Sequence, residues 1–191
     1  NDLDEHTIMN LKVQGARIDS WGVGTQLITA ADQPTLGGVY KLVAREGADG
    51  SYLPTIKISG NPEKVTTPGV KNLYRLIDPA TGKAIADYMC YPEEQTIAKG
   101  EPIQLIHPGH PYLNKTVRNY RAEPMLTPVF LNGELVYELP TLEQIRAYHR
   151  EQLSQFWPEY LRTLNPELYR LYVSELVLET KTRLMKEYMQ K

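Results

Sequence analysis

The segment Gly-Val-Gly-Thr at residues 22–25 has the residue types best suited to bind an anion. Glycine tolerates positive φ and leaves room for a close ligand. The backbone N–H groups of Val23, Gly24 and Thr25 can therefore point at one position, where a phosphate would fit. The Thr25 hydroxyl can add a further donor. Gly22, Val23, Gly24 and Thr25 form the candidate phosphate site, and a tight structural turn is the alternative interpretation.

The residues on either side of this segment predict one unit of a parallel α/β structure. Residues 18–21 have the pattern of a short buried strand, and residues 26–29 suit the start of a helix. Upstream, Asp4 can cap a helix that Gly15 ends. In parallel α/β folds, ligands bind at the carboxyl ends of the strands. The glycine loop and Asp2 would both lie at that end.

Five blocks of the sequence are together similar to one enzyme family. They are Asn-Asp-Leu-Asp-Glu (1–5), Gln-Gly-Ala (14–16), Asp-Ser-Trp-Gly-Val-Gly-Thr-Gln-Leu-Ile-Thr-Ala (19–30), Pro-Thr-Leu-Gly-Gly-Val-Tyr-Lys-Leu-Val (34–43) and Asn-Pro-Glu-Lys-Val-Thr-Thr-Pro-Gly-Val-Lys (61–71). With these blocks the chain resembles the C-terminal part of a nicotinate phosphoribosyltransferase of the longer bacterial form, over nearly its whole length. The resemblance implies an α/β fold, α+β overall. The end of a type II phosphoribosyltransferase α/β barrel would be followed by antiparallel strands and C-terminal helices.

The resemblance also implies a reaction and its partners. Nicotinate and phosphoribosyl pyrophosphate would give nicotinate mononucleotide and pyrophosphate in NAD salvage, with coupled ATP hydrolysis and Mg²⁺. The glycine loop would hold the 5′-phosphate. Asp2 would lie beside the ribose or its phosphate, and an acid that serves only the helix dipole is the alternative for Asp2. The catalytic residues are not identified by the sequence.

Two other functions remain open from the sequence. A related phosphoribosyltransferase that uses nicotinamide or quinolinate is the nearest alternative, although residues 36–43 favour nicotinate. A non-catalytic interaction or dimerisation module, in which the glycine loop is only a turn, is the alternative from a different class.

The first residues indicate a piece of a longer protein. Asn1 is not an initiator methionine, and the chain opens in a ligand-type loop with no strand before it. By resemblance, the preceding part would carry most of the barrel and much of the active site, and would contribute to a shared site in a homodimer. We therefore expect the isolated chain to lack transferase activity.

The four histidines do not supply the phosphorylated histidine through which the family couples ATP hydrolysis. None of them has a matching sequence context: His6, His107, His110 and His149. The segment 107–111 is simplest as a turn. No metal site is expected there because a third ligand is missing nearby.

A series of basic residues lies in the predicted strands and loops of the middle of the chain: Lys57, Lys64, Lys71 and Arg75. These side chains could meet the phosphates of pyrophosphate or ATP. A solvated strand edge explains them equally well.

Composition limits the class of protein. The chain has 191 residues, 41% of them hydrophobic, and a net charge of −2, so no overall positive field favours nucleic acid or an anionic membrane. Cys90 is the only cysteine, which excludes an internal disulfide and a thiolate zinc cluster and fits the cytoplasm. No apolar run approaches the roughly 20 residues that span a bilayer.

The pattern along the chain predicts three segments. Residues 1–36 would be the last part of the barrel with the phosphate loop, residues 37–139 a mostly antiparallel β segment, and residues 140–191 a helical segment. Predicted strand pairs are 39–44 with 53–59, 72–77 with 84–91, and 129–131 with 135–137, with a further strand at 103–106. Predicted helices begin after Thr141, at Trp157-Pro158 and at Asn165-Pro166, the last running to about Tyr188.

Overall fold

The computed structural model describes residues 2–110 and 112–190, with the side chain of Glu63 excepted. Asn1, Pro111 and Lys191, which fall in predicted segments, lie outside the described residues. The chain forms two compact units, one ending at Tyr40 and the other beginning at Lys41. The predicted division of the chain after residues 36 and 139 stays a prediction.

The first unit contains two helices. Helix α1 spans Glu5–Val13, and the Thr7 N–H donates to Asp4 Oδ1 at 2.6 Å, so Asp4 caps it as predicted. Gly15, at φ +88°, follows the end of the helix. Helix α2 spans Thr25–Ile28, close to the predicted start.

The predicted strand at residues 18–21 is wrong. These residues form no strand in the described part of the chain, and Ile18 is 44% exposed. An extended segment becomes a strand only through hydrogen bonds to a neighbour. No backbone hydrogen bond is found for residues 18–21 within the described residues, so an apolar run alone did not suffice.

The second unit is built on a six-stranded sheet. Its strands are β3 (Asn72–Ile77), β4 (Ala84–Cys90), β5 (Ile103–Ile106), β6 (Asn114–Val117), β7 (Arg121–Pro124) and β10 (Leu171–Val173). Their order across the sheet is β6-β5-β10-β4-β3-β7. All neighbours are antiparallel except β10 and β4. The predicted strands 72–77, 84–91 and 103–106 are therefore confirmed.

Two small hairpins accompany this sheet. Strands β1 (Ala44–Glu46) and β2 (Tyr52–Pro54) form the first, and β8 (Phe130–Leu131) and β9 (Glu134–Leu135) form the second around Asn132-Gly133. The first hairpin forms at the predicted turn, but its strands are 44–46 and 52–54, and residues 39–43, predicted as part of a strand, form none in the described part of the chain. The second hairpin is confirmed with shorter strands than predicted. A 3₁₀ turn at Pro62–Lys64 and the short helix α3 (Thr96–Lys99) complete the middle of the chain.

The C-terminal elements are only partly helical. Helix α4 (Leu142–Ser154) begins with the predicted capping box, in which Thr141 and Gln144 exchange hydrogen bonds of 2.7 and 3.3 Å. Helix α5 (Pro158–Leu161) follows Trp157 as predicted. Helix α6 spans Glu175–Met189 and is capped by the Ser174 hydroxyl.

The predicted helix from Asn165 to Tyr188 is wrong in its first half. Residues 171–173 form β10, which lies between β4 and β5, and the helix begins only at Glu175. Tyr172 and Val173 are buried in the sheet. An aromatic and a β-branched residue in sequence fit a strand, and burial between two strands outweighed the helical periodicity.

The core of the second unit lies on the sheet. Leu76, Ala86, Cys90, Ile103 and Leu105 are almost fully buried together. Helix α6 adds Val177, which packs with Tyr91 and Val173. Burial raises the pKa of the Cys90 thiol to about 11, so this cysteine is a core residue and not a nucleophile.

Candidate functional site

The glycine loop leaves its backbone donors free. Helix α2 begins with the N–H groups of Leu27 and Ile28 donating to the Gly24 carbonyl, each at 3.1 Å. The N–H groups of Val23, Gly24 and Thr25 have no acceptor within the described residues. Unpaired N–H groups at the start of a helical turn carry partial positive charge and can receive an anion.

Neither glycine of the loop has a left-handed backbone. Neither Gly22 nor Gly24 has a positive φ, and Gly24 lies at φ −118°. A Cβ added at either position would meet no atom within 4 Å among the described residues. Because these glycines have no side chain, they leave open space beside the loop, and a ligand could approach the backbone closely there.

A cleft of about 360 Å³ lies between α1 and α2, on one side of the loop. Asp4, Glu5 and Asp32 line it, and of the four candidate phosphate residues only Val23 does. Hydrogen bonds from Thr7 lower the pKa of Asp4, which keeps that carboxylate ionised. Three carboxylates repel a phosphate, so an anion would approach the loop outside this cleft.

Asp2 is exposed and precedes α1 with a left-handed backbone, at φ +55°. It does not line the acidic cleft. Its predicted position beside a ribose or phosphate stays a prediction.

Arg75, one of the predicted basic series, is 8% exposed and is not a solvated edge residue. Its Nε and Nη2 donate to the two oxygens of Asp87 at 3.0 and 3.3 Å. Its Nη1 donates to the side-chain oxygens of Gln152 at 3.0 Å and Gln155 at 3.3 Å. The guanidinium carbon lies 4.8 Å from the centroid of the Phe156 ring. All three nitrogen atoms are engaged, so this side chain is occupied inside the protein.

The surroundings of Arg75 make a closed structural cluster. Arg75 and Asp87 are directly opposite each other on β3 and β4, and Gln152 and Gln155 come from the end of α4. The Tyr169 hydroxyl donates to Asp87 Oδ1 at 3.0 Å. Burial opposes the charge of Arg75, but the hydrogen bonds and charge of Asp87 outweigh it and raise the pKa of Arg75. The cluster fixes the end of α4 to the sheet.

The three lysines of the predicted series have different surroundings. Lys57 and Lys64 are exposed. Lys71 Nζ donates to the carbonyl of Thr67 at 2.8 Å and to that of Gly69, and burial lowers the pKa of Lys71. Lys71 therefore holds a loop, and contact of the exposed Lys57 and Lys64 with a phosphate stays a prediction.

The histidines are divided between exposed helices and one turn. His6 and His149 are exposed on α1 and α4. The N–H groups of Gly109 and His110 donate to His107 Nδ1 at 3.1 and 3.0 Å, which is the turn predicted for this segment. Within the described residues, no three or more His, Cys, Asp or Glu side chains are grouped as metal ligands.

No helix in the described ranges is long and apolar enough to cross a membrane.

A solved phosphoribosyltransferase has a similar fold. It is similar to the crystal structure of human Nicotinic Acid Phosphoribosyltransferase, with a TM-score of 0.68 and 26% identity, over 97% of this chain and 32% of that chain. The chain thus has the mixed α/β fold of a C-terminal part of a type II phosphoribosyltransferase, as predicted.

The sequence comparisons identify the family. Residues 70–181 match the family described as nicotinate phosphoribosyltransferase C-terminal domain. The nicotinate phosphoribosyltransferase of Bacillus subtilis (strain 168) is 50% identical over 92% of this chain and 35% of its own length. That of Homo sapiens is 35% identical over 92% of this chain and 31% of its own length. The chain belongs to the nicotinate phosphoribosyltransferase C-terminal domain family, and it spans about a third of the length of these relatives.

Proposed function

We propose that this chain is the C-terminal part of a nicotinate phosphoribosyltransferase and that its glycine loop holds the 5′-phosphate of the ribosyl substrate. The reaction would join nicotinate to phosphoribosyl pyrophosphate, forming nicotinate mononucleotide and pyrophosphate for NAD salvage. Support comes from the names of the relatives and from the free N–H groups of Val23, Gly24 and Thr25.

Substitution at an anomeric carbon passes through an oxocarbenium-like state, so the ribose must be held while pyrophosphate departs. A phosphate bound by fixed backbone donors fixes the ribose without a flexible side chain. Under this proposal the glycine loop positions the ribose through its 5′-phosphate, and Asp2 lies beside the ribose.

The proposed reaction uses Mg²⁺ and hydrolyses ATP. The enzyme would act as a cytoplasmic homodimer. We assign no described residue to Mg²⁺, because these residues offer no grouped set of three carboxylate or imidazole ligands. Carboxylates from outside this third of the protein, together with phosphate oxygens of the substrates, would hold the metal.

Binding of ribose 5-phosphate to the glycine loop tests the proposal. In the 191-residue chain, the amide NMR signals of Val23, Gly24 and Thr25 are expected to shift saturably on titration. Gly24→Val should raise the Kd at least about tenfold, because the new side chain fills the space beside free N–H groups worth about 1.5–3 kcal/mol to a charged acceptor.

Gly37→Val is the matched control. Gly37 lies in the same unit, has no positive φ, and also has open space where a Cβ would stand. It should leave the Kd unchanged. Equal loss in both variants, or no saturable shift in the original chain, would contradict phosphate binding at the loop.

Transferase activity of the isolated chain is a separate test. The chain spans about a third of its relatives, and we expect no formation of nicotinate mononucleotide from nicotinate, phosphoribosyl pyrophosphate, ATP and Mg²⁺. Detectable turnover by the purified chain, measured by chromatography of the product, would overturn this expectation.

An interaction or dimerisation surface is the second candidate function, and one observation favours it. Many large apolar side chains between residues 126 and 148 are exposed: Leu126, Val129, Phe130, Leu131, Leu135, Val136, Leu139, Leu142, Ile145 and Tyr148. Leu139, Ile145 and Tyr148 line one cleft together, and exposed apolar surface that is grouped in this way commonly marks a protein contact. Sedimentation velocity combined with the ribose 5-phosphate titration distinguishes the candidates, because both allow a dimer but only the interaction module predicts a dimer that never binds ribose 5-phosphate.

A further inference from the structure

A second cleft, of about 520 Å³, lies in the sheet unit and is separate in sequence from the glycine loop. The turn after β5 forms one side of it, with His107, His110 and Tyr112. The segment that leads into β10 forms the other side, with Tyr169 and Arg170. These side chains come from positions about sixty residues apart, and none of them has a role in the proposed reaction.

The turn fixes the chemical state of His107. Two backbone N–H groups donate to His107 Nδ1, so the proton of the neutral imidazole is on Nε2. Burial, with the nearby His110 and Arg170, lowers the pKa of His107. The ring is therefore a neutral donor, held by its own turn and stacked on His110 at 5.1 Å between centroids.

The charge of the cleft is positive. None of its lining residues is Asp or Glu. The Arg170 side chain is exposed and has no hydrogen bond or ion pair within the described residues. Asp87 contacts the lining residue Tyr169, but its carboxylate already accepts hydrogen bonds from Arg75 and from the Tyr169 hydroxyl.

One more cation lies close to the cleft. Lys115 Nζ lies 5.6 Å from the centroid of the Tyr172 ring, and that ring meets His107 edge-on at 6.2 Å. Tyr112, which is 76% exposed, adds a flat apolar surface at the rim beside His110. A ligand would meet one fixed imidazole N–H donor, an unpaired guanidinium and an aromatic ring.

We propose that this cleft binds a small phosphate-bearing anion, with the Arg170 guanidinium and the His107 Nε2–H as its donors. Guanidinium matches a phosphate in geometry and charge, and a neutral imidazole N–H adds a directed donor. The Tyr112 ring would lie against the organic part of the ligand, where one is present. This site is independent of the glycine loop.

The experiment is an NMR titration of the 191-residue chain that follows the imidazole signals of His107 and His110. Three ligands distinguish the source of the phosphate: inorganic phosphate, ribose 5-phosphate and AMP. Saturable shifts with all three would show that the phosphate suffices, and saturation with AMP alone would show that the ring contact at Tyr112 is needed. Both results support the site, and the Gly24 amide signal reports the other site separately.

Arg170→Ala should raise the Kd at the histidines at least tenfold, and Arg170→Lys should retain most of the binding because it keeps the charge. Only the main chain of Arg170 takes part in the fold, through its carbonyl to the Asp87 N–H at 3.3 Å, and both variants keep it. Arg150→Ala is the control, because Arg150 is also exposed, on α4, and does not line the cleft. No saturable shift with any ligand up to about 10 mM, or equal weakening by Arg150→Ala, would overturn the proposal.

Discussion

The glycine loop and the Arg75 cluster use polar groups in opposite ways. At the loop, the backbone N–H groups of half-buried Val23 and of exposed Gly24 and Thr25 have no acceptor among the described residues. At the cluster, a buried guanidinium is held by a carboxylate, two amide oxygens and an aromatic ring. The residue type most suited to a phosphate serves the fold, while plain backbone is left available for a ligand.

Whether a polar group is already hydrogen-bonded therefore separates groups that serve stability from groups that can serve binding better than residue type does. A buried polar group must be paired, because an unpaired one costs free energy. A group that is exposed and unpaired costs little and stays available. Variants in the cluster should therefore change the free energy of unfolding, and variants in the loop should change binding.

Arg75→Met should have the largest effect on stability. It leaves the Asp87 carboxylate without its bidentate partner in a nearly buried position, where the side chain of Asp87 is 18% exposed. Breaking a buried pair from one side costs about 3–5 kcal/mol of the free energy of unfolding. Urea unfolding followed by circular dichroism measures it.

Arg121→Met is the control for Arg75→Met. Arg121 pairs with Glu123 at 2.8 Å, but the Arg121 side chain is 62% exposed. An exposed pair contributes at most about 1 kcal/mol. If the two variants lose the same stability, the Arg75 cluster does not stabilise the fold more than an exposed ion pair does.

Gly69→Ala should have the next largest effect. Gly69 has φ +86°, and a Cβ there would overlap the ring of Tyr91, whose hydroxyl donates to the Pro68 carbonyl at 3.0 Å. The left-handed backbone costs alanine about 1–2 kcal/mol, and disturbing a buried hydrogen bond adds about 1 kcal/mol. We expect a loss of about 2–3 kcal/mol by urea unfolding.

Gly82→Ala separates the two causes. Gly82 has φ +68°, but a Cβ there would meet nothing within 4 Å. It should lose only the backbone part, about 1–2 kcal/mol. A Gly82 variant that loses more than the Gly69 variant would mean that contact with Tyr91 is not what fixes this loop.

The sequence was sufficient to predict the features that depend on contacts between residues a few positions apart. The Asp4 cap, the Thr141–Gln144 capping box and the Asn132-Gly133 turn each depend on residues within a few positions, and all three form. The strands at 72–77 and 84–91 are joined by a short turn and were equally visible.

Long-range pairing was not visible in the sequence. Strand β10 enters the sheet between β4 and β5, about eighty residues from its partner β4, and its apolar residues fit a helix as well. Strands β6 and β7 and helix α3 were not predicted, and they lack strong local signals. The strand predicted at 18–21 was wrong for a related reason: its local pattern fits a strand, but no partner strand pairs with it in the described residues.

The candidate site was predictable only as far as residue types and resemblance allowed. The sequence located a loop whose backbone donors are free, but not the acidic cleft beside it, because Asp32 joins Asp4 and Glu5 only through folding. The cluster around Arg75 was also hidden, since Gln152 and Gln155 lie more than seventy residues away. The cleft at His107 and Arg170 depends on the same kind of distant approach.

The most direct test measures binding and stability together for Gly24→Val. The Kd for ribose 5-phosphate should rise at least about tenfold, while the free energy of unfolding falls by no more than about 1 kcal/mol, the cost of a poorer residue at the N-cap of α2. Unchanged binding, or a loss of stability as large as that of Arg75→Met, would contradict this expectation.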